Sequence, residues 1–361
     1  MKIIIGGGGT GGHLFPALAL ADEFKRQIPE TEIIFVGSRQ GLESRLVPQH
    51  GYDLIFIHAK GWKGRGIIGK IKSLWAVPAG VLKSLWIIWR FKPDLVIGVG
   101  GYASGPVGLA GWMMGKKMAL QEQNSIPGLT NRLLGRLADI IFLSFEDQAG
   151  CFDPAKTRLV GNPVRESLLQ AGRKTTSDPA SRIRLLIMGG SQGAHRINEV
   201  FTAAMDLLGD RRTGWRITHQ TGEKDFDAVT AEYQRLGLDA RVAPFFTDMG
   251  EVYAHTDVVV ARSGATTLAE LTSLKKPAVF IPYPYAANNH QEINARFVSD
   301  QGAAMTITEA ELTPQLLADC LIDLMDHPEK IETMADRASR LGRPTAAADI
   351  VRECRNLVGS N

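Results

Sequence analysis

At 361 residues the chain is long enough for two domains with sizeable cores. Its 44% hydrophobic and 22% charged residues are the balance of a soluble globular protein, not a disordered or fibrous one. Three cysteines, Cys151, Cys320 and Cys354, lie far apart with no CxxC spacing, so neither a disulfide framework nor a zinc site is indicated and a reducing cytoplasm fits best. The net charge of +3 hides an asymmetry: residues 1–162 carry roughly +7 and the remainder roughly −4, which directs any negatively charged partner to the first half.

Met1 and Lys2 run straight into an apolar strand, IIIG at 3–6, and then into polyglycine; the apolar stretch is too short for a signal peptide. A helical pattern from Pro16 to Gln27 follows, and short apolar runs at 33–37, 54–57, 95–100, 117–124 and 139–145 then alternate with helical patterns. That alternation predicts an α/β chain with a parallel, doubly wound sheet. Residues 95–115 carry no charge, but Gly98, Gly100, Gly101, Gly105, Gly108, Gly111 and Gly115 predict a strand, a glycine turn and a small-residue helix in place of a membrane span.

After the turn Gly161-Asn162-Pro163 the pattern restarts. RIRLLIMGGSQGAHRINEVF echoes MKIIIGGGGTGGHLFPALAL: basic residue, apolar strand, glycine loop, His, helix. Two Rossmann-like domains are therefore expected, 1–162 and 163–340, with a linker near 161–166 and the last segment, 341–361, packing back on the first. Arg173–Ser181 is polar and reads as an exposed loop. Ligands bind at the carboxyl ends of parallel strands, so the expected site is the cleft between two such domains.

Gly7–Gly12 fits the dinucleotide fingerprint GxGxxG, but NAD also needs an acid at the end of the second strand. That strand ends Val36-Gly37-Ser38-Arg39, and Glu32 and Glu43 are misplaced for the role. A glycine turn can still hold a diphosphate, and the loops at 98–106 (GVGGYASGP) and 189–194 (GGSQGA) present further backbone N–H groups. His13, directly after the first loop, reads either as a capping or packing residue or as a base, since histidine titrates near neutrality. Asp225-Phe226-Asp227 matches a DxD metal motif, but it lies between Lys224 and a polar helix and reads as a solvated face; no metal is assigned.

From Lys60 to Lys92 the chain has Lys60, Lys63, Arg65, Lys70, Lys72, Lys83, Arg90 and Lys92, no Asp or Glu, and Trp62, Trp75, Trp86 and Trp89. The helical period breaks at Pro78. Over 62–75, Ile67, Ile71 and Trp75 beside Lys70 and Lys72 suit an interfacial segment, with rings at headgroup level and lysines on the phosphates of an anionic membrane surface. Over 80–92 the expectation is a helix that packs Leu85 and Trp89 on the sheet. No nucleic-acid motif accompanies the charge, and no nucleic-acid partner is assigned.

Val258–Ala261 is an apolar strand that stops at RSGATTLAE, Arg262–Glu270, where a helical pattern begins. A helix start carries unpaired N–H groups and the positive end of the dipole, which suits phosphate. Glu270 on its first turns suits a ribose diol; the alternative is a Ser263 N-cap with a Glu that only answers the dipole.

Taken together, GGTGGH at 8–13, GVGGYASGP at 98–106, QEQNSIPGLTN at 121–131, GNPVR at 161–165, GGSQGA at 189–194, RSGATTLAE at 262–270 and His290-Gln291 with Asn294 resemble the MurG family of UDP-N-acetylglucosamine transferases along essentially the whole chain. The resemblance implies a GT-B glycosyltransferase fold, two Rossmann-like domains facing across a cleft, with no cofactor or metal. It implies transfer of N-acetylglucosamine, with inversion, from UDP-N-acetylglucosamine to the 4-hydroxyl of the muramic residue of undecaprenyl-linked lipid I, giving lipid II for peptidoglycan. The enzyme would be peripheral on the cytoplasmic face of the cell membrane, with cell-wall synthesis proteins as further partners. By motif, substrate contacts would be Thr10, Gly11, Gly12, Asn124, Arg165, Ser191, Phe246, Ala265, Thr266, Thr267, Leu268, Ala269, Glu270 and Gln291. Phe246 stands where the family has an aliphatic residue near uracil, and its backbone would read the base edge. His13 would be the base or an acceptor-positioning group. Alternatives are another UDP-sugar:lipid transferase, a UDP-N-acetylglucosamine epimerase, which the Trp-rich basic segment argues against, and a non-catalytic nucleotide-sugar-binding scaffold at the membrane.

Overall fold

The computed structural model describes residues 1–57, 67–173, 182–190 and 193–359, the side chains of 67–77 excepted. Ser191, the stretch 58–66, and the side chains of Ile67, Lys70, Ile71, Lys72 and Trp75 therefore lie outside the described residues. The chain forms two compact units, Met1–Arg165 with Pro344–Asn361, and Glu166–Arg343.

In the first unit the apolar runs form β1 (Lys2–Gly6), β2 (Glu32–Gly37), β3 (Asp53–Phe56), β4 (Leu95–Gly98), β5 (Lys117–Glu122), β6 (Ile140–Leu143) and β7 (Thr157–Leu159). Among the described residues they make one parallel sheet in the order β3-β2-β1-β4-β5-β6-β7. Ile3, Ile4 and Ile5 are consecutive and fully buried. A strand covered on both faces reads as a continuous apolar run, not an alternating one. The covering helices are α1 (Gly11–Gln27), α2 (Glu43–Gln49), α3 (Ile67–Phe91), α4 (Ser104–Met113) and α5 (Leu129–Leu134). Leu14, Leu18 and Phe24 of α1 pack with Ile3, Ile5 and Ile97 on one face, while Ile87 and Ile88 of α3 and Val107 of α4 pack with Ile4 and Val96 on the other.

Three local expectations are corrected. Helix α1 starts at Gly11, not Pro16, because Thr10 is extended and its carbonyl accepts from the N–H groups of His13 (3.3 Å) and Leu14 (3.1 Å). Pro16 is therefore inside the helix, where it removes one hydrogen bond. Pro78 likewise does not break α3, which runs through it for 25 residues. The turn of α3 that meets the sheet carries Ser84, Leu85, Ile87 and Ile88; Trp89 falls on the opposite face and is 64% exposed, against the expectation that it packs on the sheet.

The second unit repeats the plan with β8 (Ile183–Met188), β9 (Trp215–Gln220), β10 (Ala240–Ala243), β11 (Val258–Ala261), β12 (Ala278–Phe280) and β13 (Ala304–Thr306), in the order β10-β9-β8-β11-β12-β13. Its helices are α6 (Glu166–Gly172), α7 (His195–Leu207), α8 (Phe226–Arg235), α9 (Met249–Ala254), α10 (Ala265–Ser273), α11 (His290–Ser299), α12 (Pro314–Asp326) and α13 (Pro328–Leu341). The final helix, α14 (Ala346–Gly359), returns to the first unit, where Ile350, Val351 and Cys354 join the core beside α1.

At the amino ends of the second sheet, Lys276 is 6% exposed and donates from Nζ to the Thr256 carbonyl (2.7 Å). Burial, with a smaller push from Arg184 and against the pull of Asp257, lowers its ammonium from 10.5 to about 8. Between those values the unfolded chain binds more protons, so folding stability rises as pH goes from 8 to 10.5; below 8 the charged lysine costs up to about 3 kcal/mol. Urea midpoints of the wild type and Lys276→Met at pH 7.5 and 10 should therefore diverge in favour of the wild type as pH rises, and a constant difference would contradict the assignment.

Candidate active site

In each unit the crossovers leave two adjacent central strands toward opposite faces, which opens a crevice at their carboxyl ends. In the first unit these strands are β1 and β4, paired with Gly6 opposite Gly98. The crevice therefore receives the first glycine loop, the start of α1 and the second loop together. His13 lies on the first turn of α1, half-buried, with Nδ1 3.0 Å from Oε1 of Gln123 at the end of β5. Gly101 of the second loop has φ +79°, and a Cβ there would stand 2.3 Å from the Gly8 carbonyl oxygen, so only glycine lets the two loops touch.

The amides of the first loop are largely spent inside the protein. Gly7 donates to the Val36 carbonyl (3.1 Å) and Gly9 to Oε2 of Glu43 (2.7 Å). Oε1 of Glu43 accepts from the Ser38 N–H (2.9 Å) and hydroxyl (2.8 Å). Glu43 is thus no stray acid: it closes the glycine loop onto the end of β2. What the loop still offers is the start of α1, with Thr10 and Gly12 exposed and Gly11 half-buried. Glu122 does the same for QEQNSIPGLTN. Its Oε1 accepts from the Asn124 backbone (3.0 Å) and side chain (3.4 Å), and its Oε2 from the Gly128 N–H (3.1 Å) and Asn131 Nδ2 (2.9 Å). Asn124 is therefore held in place by the residue two before it. Arg165, at the end of the first unit, is half-buried with its guanidinium over the Phe15 ring of α1 (5.6 Å).

The second unit brings β8 and β11 together, Met188 opposite Ala261, so Gly189-Gly190 and RSGATTLAE emerge side by side. Ser263 is not the helix cap: it is fully buried and its hydroxyl donates to the Gln291 carbonyl (2.8 Å). Gly264 takes the N-cap position and has no side chain to occupy the helix end. On α10, Ala265 and Leu268 are buried and can reach a ligand only through backbone, while Thr266, Thr267, Ala269 and Glu270 are half-buried. Oε2 of Glu270 accepts from the Tyr253 hydroxyl (2.8 Å), and Tyr253 is fully buried. Burial and the neighbouring carboxylate push that phenol well above 10, so it stays a donor.

Around this helix start the loops are pinned. Arg262 donates to the carbonyls of Ile281 (3.1 Å) and Pro282 (3.0 Å) and pairs with Glu309 (2.5 Å). Oε1 of Gln291 accepts from the Tyr283 N–H (3.0 Å), which leaves the amide NH2 as its donating end. Nδ1 of His290 meets the Ala287 carbonyl (2.8 Å). Gln220 donates to the Gly190 carbonyl (3.1 Å) and accepts from the Phe246 N–H (2.9 Å). That fixes Phe246 but commits its N–H, and the ring is buried under Arg241, so a base edge there is left the carbonyl. Asp225 is partly exposed and Asp227 exposed, and Asp225 also accepts from Asn198 (2.8 Å) and meets His195 (3.0 Å).

Leu82, Trp86 and Trp89 of α3 are 68, 52 and 64% exposed at helical spacing, flanked by exposed Lys83 and Arg90. Among the described residues no helix is long and apolar enough to cross a membrane. Sequence reasoning missed Glu43, Gln123 and Tyr253, whose importance comes from partners remote in the chain. Glu43→Ala should strip the anchors of Gly9 and Ser38 and lower stability by about 3 kcal/mol, read as a shift in urea midpoint; an unmoved midpoint would contradict this role.

Residues 3–143 match the glycosyltransferase family 28 N-terminal domain and residues 184–350 the glycosyltransferase family 28 C-terminal domain. The UDP-N-acetylglucosamine--N-acetylmuramyl-(pentapeptide) pyrophosphoryl-undecaprenol N-acetylglucosamine transferase of Myxococcus xanthus (strain DK1622) is 45% identical over 358 residues, 99% of this chain and 93% of that protein. The protein of the same name from Syntrophus aciditrophicus (strain SB) is 43% identical over 99% of both chains. The crystal structure of Acinetobacter baumannii MurG superposes with a TM-score of 0.79 at 27% identity, covering 98% of this chain and 99% of that one. The two parallel-sheet α/β units are those of a GT-B glycosyltransferase. The chain is a hexosyltransferase that belongs to glycosyltransferase family 28 and, within it, to the MurG transferases.

Proposed function

We propose that this chain transfers N-acetylglucosamine, with inversion, from UDP-N-acetylglucosamine to the 4-hydroxyl of the muramic residue of lipid I, forming lipid II at the cytoplasmic face of the membrane. The observation that carries the donor half is the start of α10, where a glycine cap leaves the helix end to an anion and Tyr253 holds the Glu270 carboxylate half-buried nearby. The helix dipole and the N–H groups of Ala265–Thr267 meet the diphosphate, and stabilise it most as UDP departs and its charge grows. Glu270 accepts from the ribose hydroxyls, and the NH2 of Gln291 donates to the sugar. Leu268 and Ala269 contribute backbone. Phe246 offers its carbonyl to the base.

In the transfer, the acceptor oxygen bonds to the anomeric carbon as the bond from that carbon to the phosphate oxygen breaks. UDP takes the electron pair, and the hydroxyl proton passes to a base. We assign that proton to His13, with Thr10, Gly11, Gly12, Asn124 and Arg165 on the same unit as groups for a diphosphate-bearing substrate. Incubation with labelled donor and a short-chain lipid I analogue should yield disaccharide-lipid and UDP. Donor binding without UDP release would instead support a non-catalytic scaffold. Glu270→Ala should raise the donor KM about tenfold or more, with Tyr253→Phe intermediate, and unchanged donor affinity in Glu270→Ala would remove the ribose assignment.

The membrane reading now rests on the far end of α3. Trp rings, a leucine and flanking Lys83 and Arg90 match an interfacial surface facing anionic lipid. Trp86→Ser with Trp89→Ser should weaken binding to phosphatidylglycerol vesicles about tenfold while leaving turnover of the short-chain acceptor in detergent intact. Unchanged vesicle binding would contradict it.

A further inference from the structure

We infer that Gln123 is a positioning residue for His13: it holds the imidazole in its Nδ1–H form, so that Nε2 carries the lone pair that receives the acceptor proton. This rests on the reading of His13 as the base. Gln123 is 1% exposed, and its Nε2 donates to the carbonyls of Val99 (3.0 Å) and Gln121 (3.3 Å). Backbone carbonyls only accept, so the amide cannot be turned round without setting its oxygen against two other oxygens. The atom facing His13 at 3.0 Å is therefore Oε1, an acceptor, and the proton between them belongs to Nδ1. A neutral imidazole has one donor and one acceptor nitrogen, which leaves Nε2 as the base. Among the described residues Nε2 takes no hydrogen bond.

The ring is fixed from a second side. Gly100, at φ +89°, packs against it, and a Cβ there would stand 2.8 Å from Cε1 and 2.9 Å from Nδ1. Residues 99 and 100 of the second glycine loop thus serve the histidine: one carbonyl orients Gln123 and one glycine admits the ring. An amide in this place also has a chemical reason. A carboxylate would orient the ring equally well but would put a negative charge beside substrates that both carry diphosphate.

The test is long-range proton–nitrogen NMR of protein labelled with 15N-histidine, with His13 assigned by its absence in His13→Ala. Wild-type His13 should show a protonated Nδ1 and an unprotonated Nε2 at pH 8. In Gln123→Leu that preference should be lost, and kcat should fall about tenfold or more with the KM values for donor and acceptor changed less than about threefold. Gln123→Glu, which restores an acceptor for Nδ1, should recover the tautomer. A wild-type ring protonated at Nε2 overturns the inference, as does a Gln123→Leu protein that keeps both tautomer and kcat. Full activity in His13→Ala would instead defeat the reading of His13 as the base, and the tautomer measurement stands apart from that result.

Discussion

Two buried carboxylates that answer to no lysine or arginine among the described residues hold the loops of the first unit. Glu43 and Glu122 are 1 and 2% exposed, and every hydrogen-bond partner of each is a donor N–H or O–H. Leaving such a group buried without partners costs several kcal/mol, so each carboxylate organises the backbone around it. Glu43 gathers Gly9 and Ser38; Glu122 gathers Asn124, Gly128 and Asn131. The crevice of the first unit takes its shape from these contacts before any ligand arrives.

The two units share the order of their first six strands and use it in opposite ways. In the first, the glycine amides are turned inward, onto Val36 and Glu43, and the second loop is committed to His13 and Gln123. In the second, Ser263 is drawn away to Gln291 and the helix start is left to a glycine. A fold duplicated at the level of strands and glycines has thus diverged at the level of what each amide bonds to: one crevice holds a side chain, the other presents a helix end.

The strands and the duplication were legible in the sequence because they are written in local periodicity: consecutive isoleucines, glycine loops at strand ends, and a restart after Gly161-Asn162-Pro163. What was not legible depends on partners far along the chain. The part Glu43 plays was not visible because it is set by Gly9, 34 residues away. Ser263 looked like a cap because its true partner, Gln291, is 28 residues on. Trp89 was expected inside because apolar character alone does not say which face of α3 meets the sheet, and Ile87 and Ile88 take that face. Asp225 lies on a partly solvated face, and its bond to Asn198, 27 residues away, was not visible in the sequence.

Helix α14 makes the first unit discontinuous in sequence, since residues 344–361 finish a core begun at residue 1, while the second unit is one unbroken stretch, Glu166–Arg343. A chain emerging from the ribosome therefore exposes all of the second unit before the first has its last helix, and the surface that Ile350, Val351 and Cys354 will cover beside α1 stays open through that interval. The second unit is thus complete in sequence before the first is. The first gains the helix that covers this apolar face only with its last eighteen residues, 344–361.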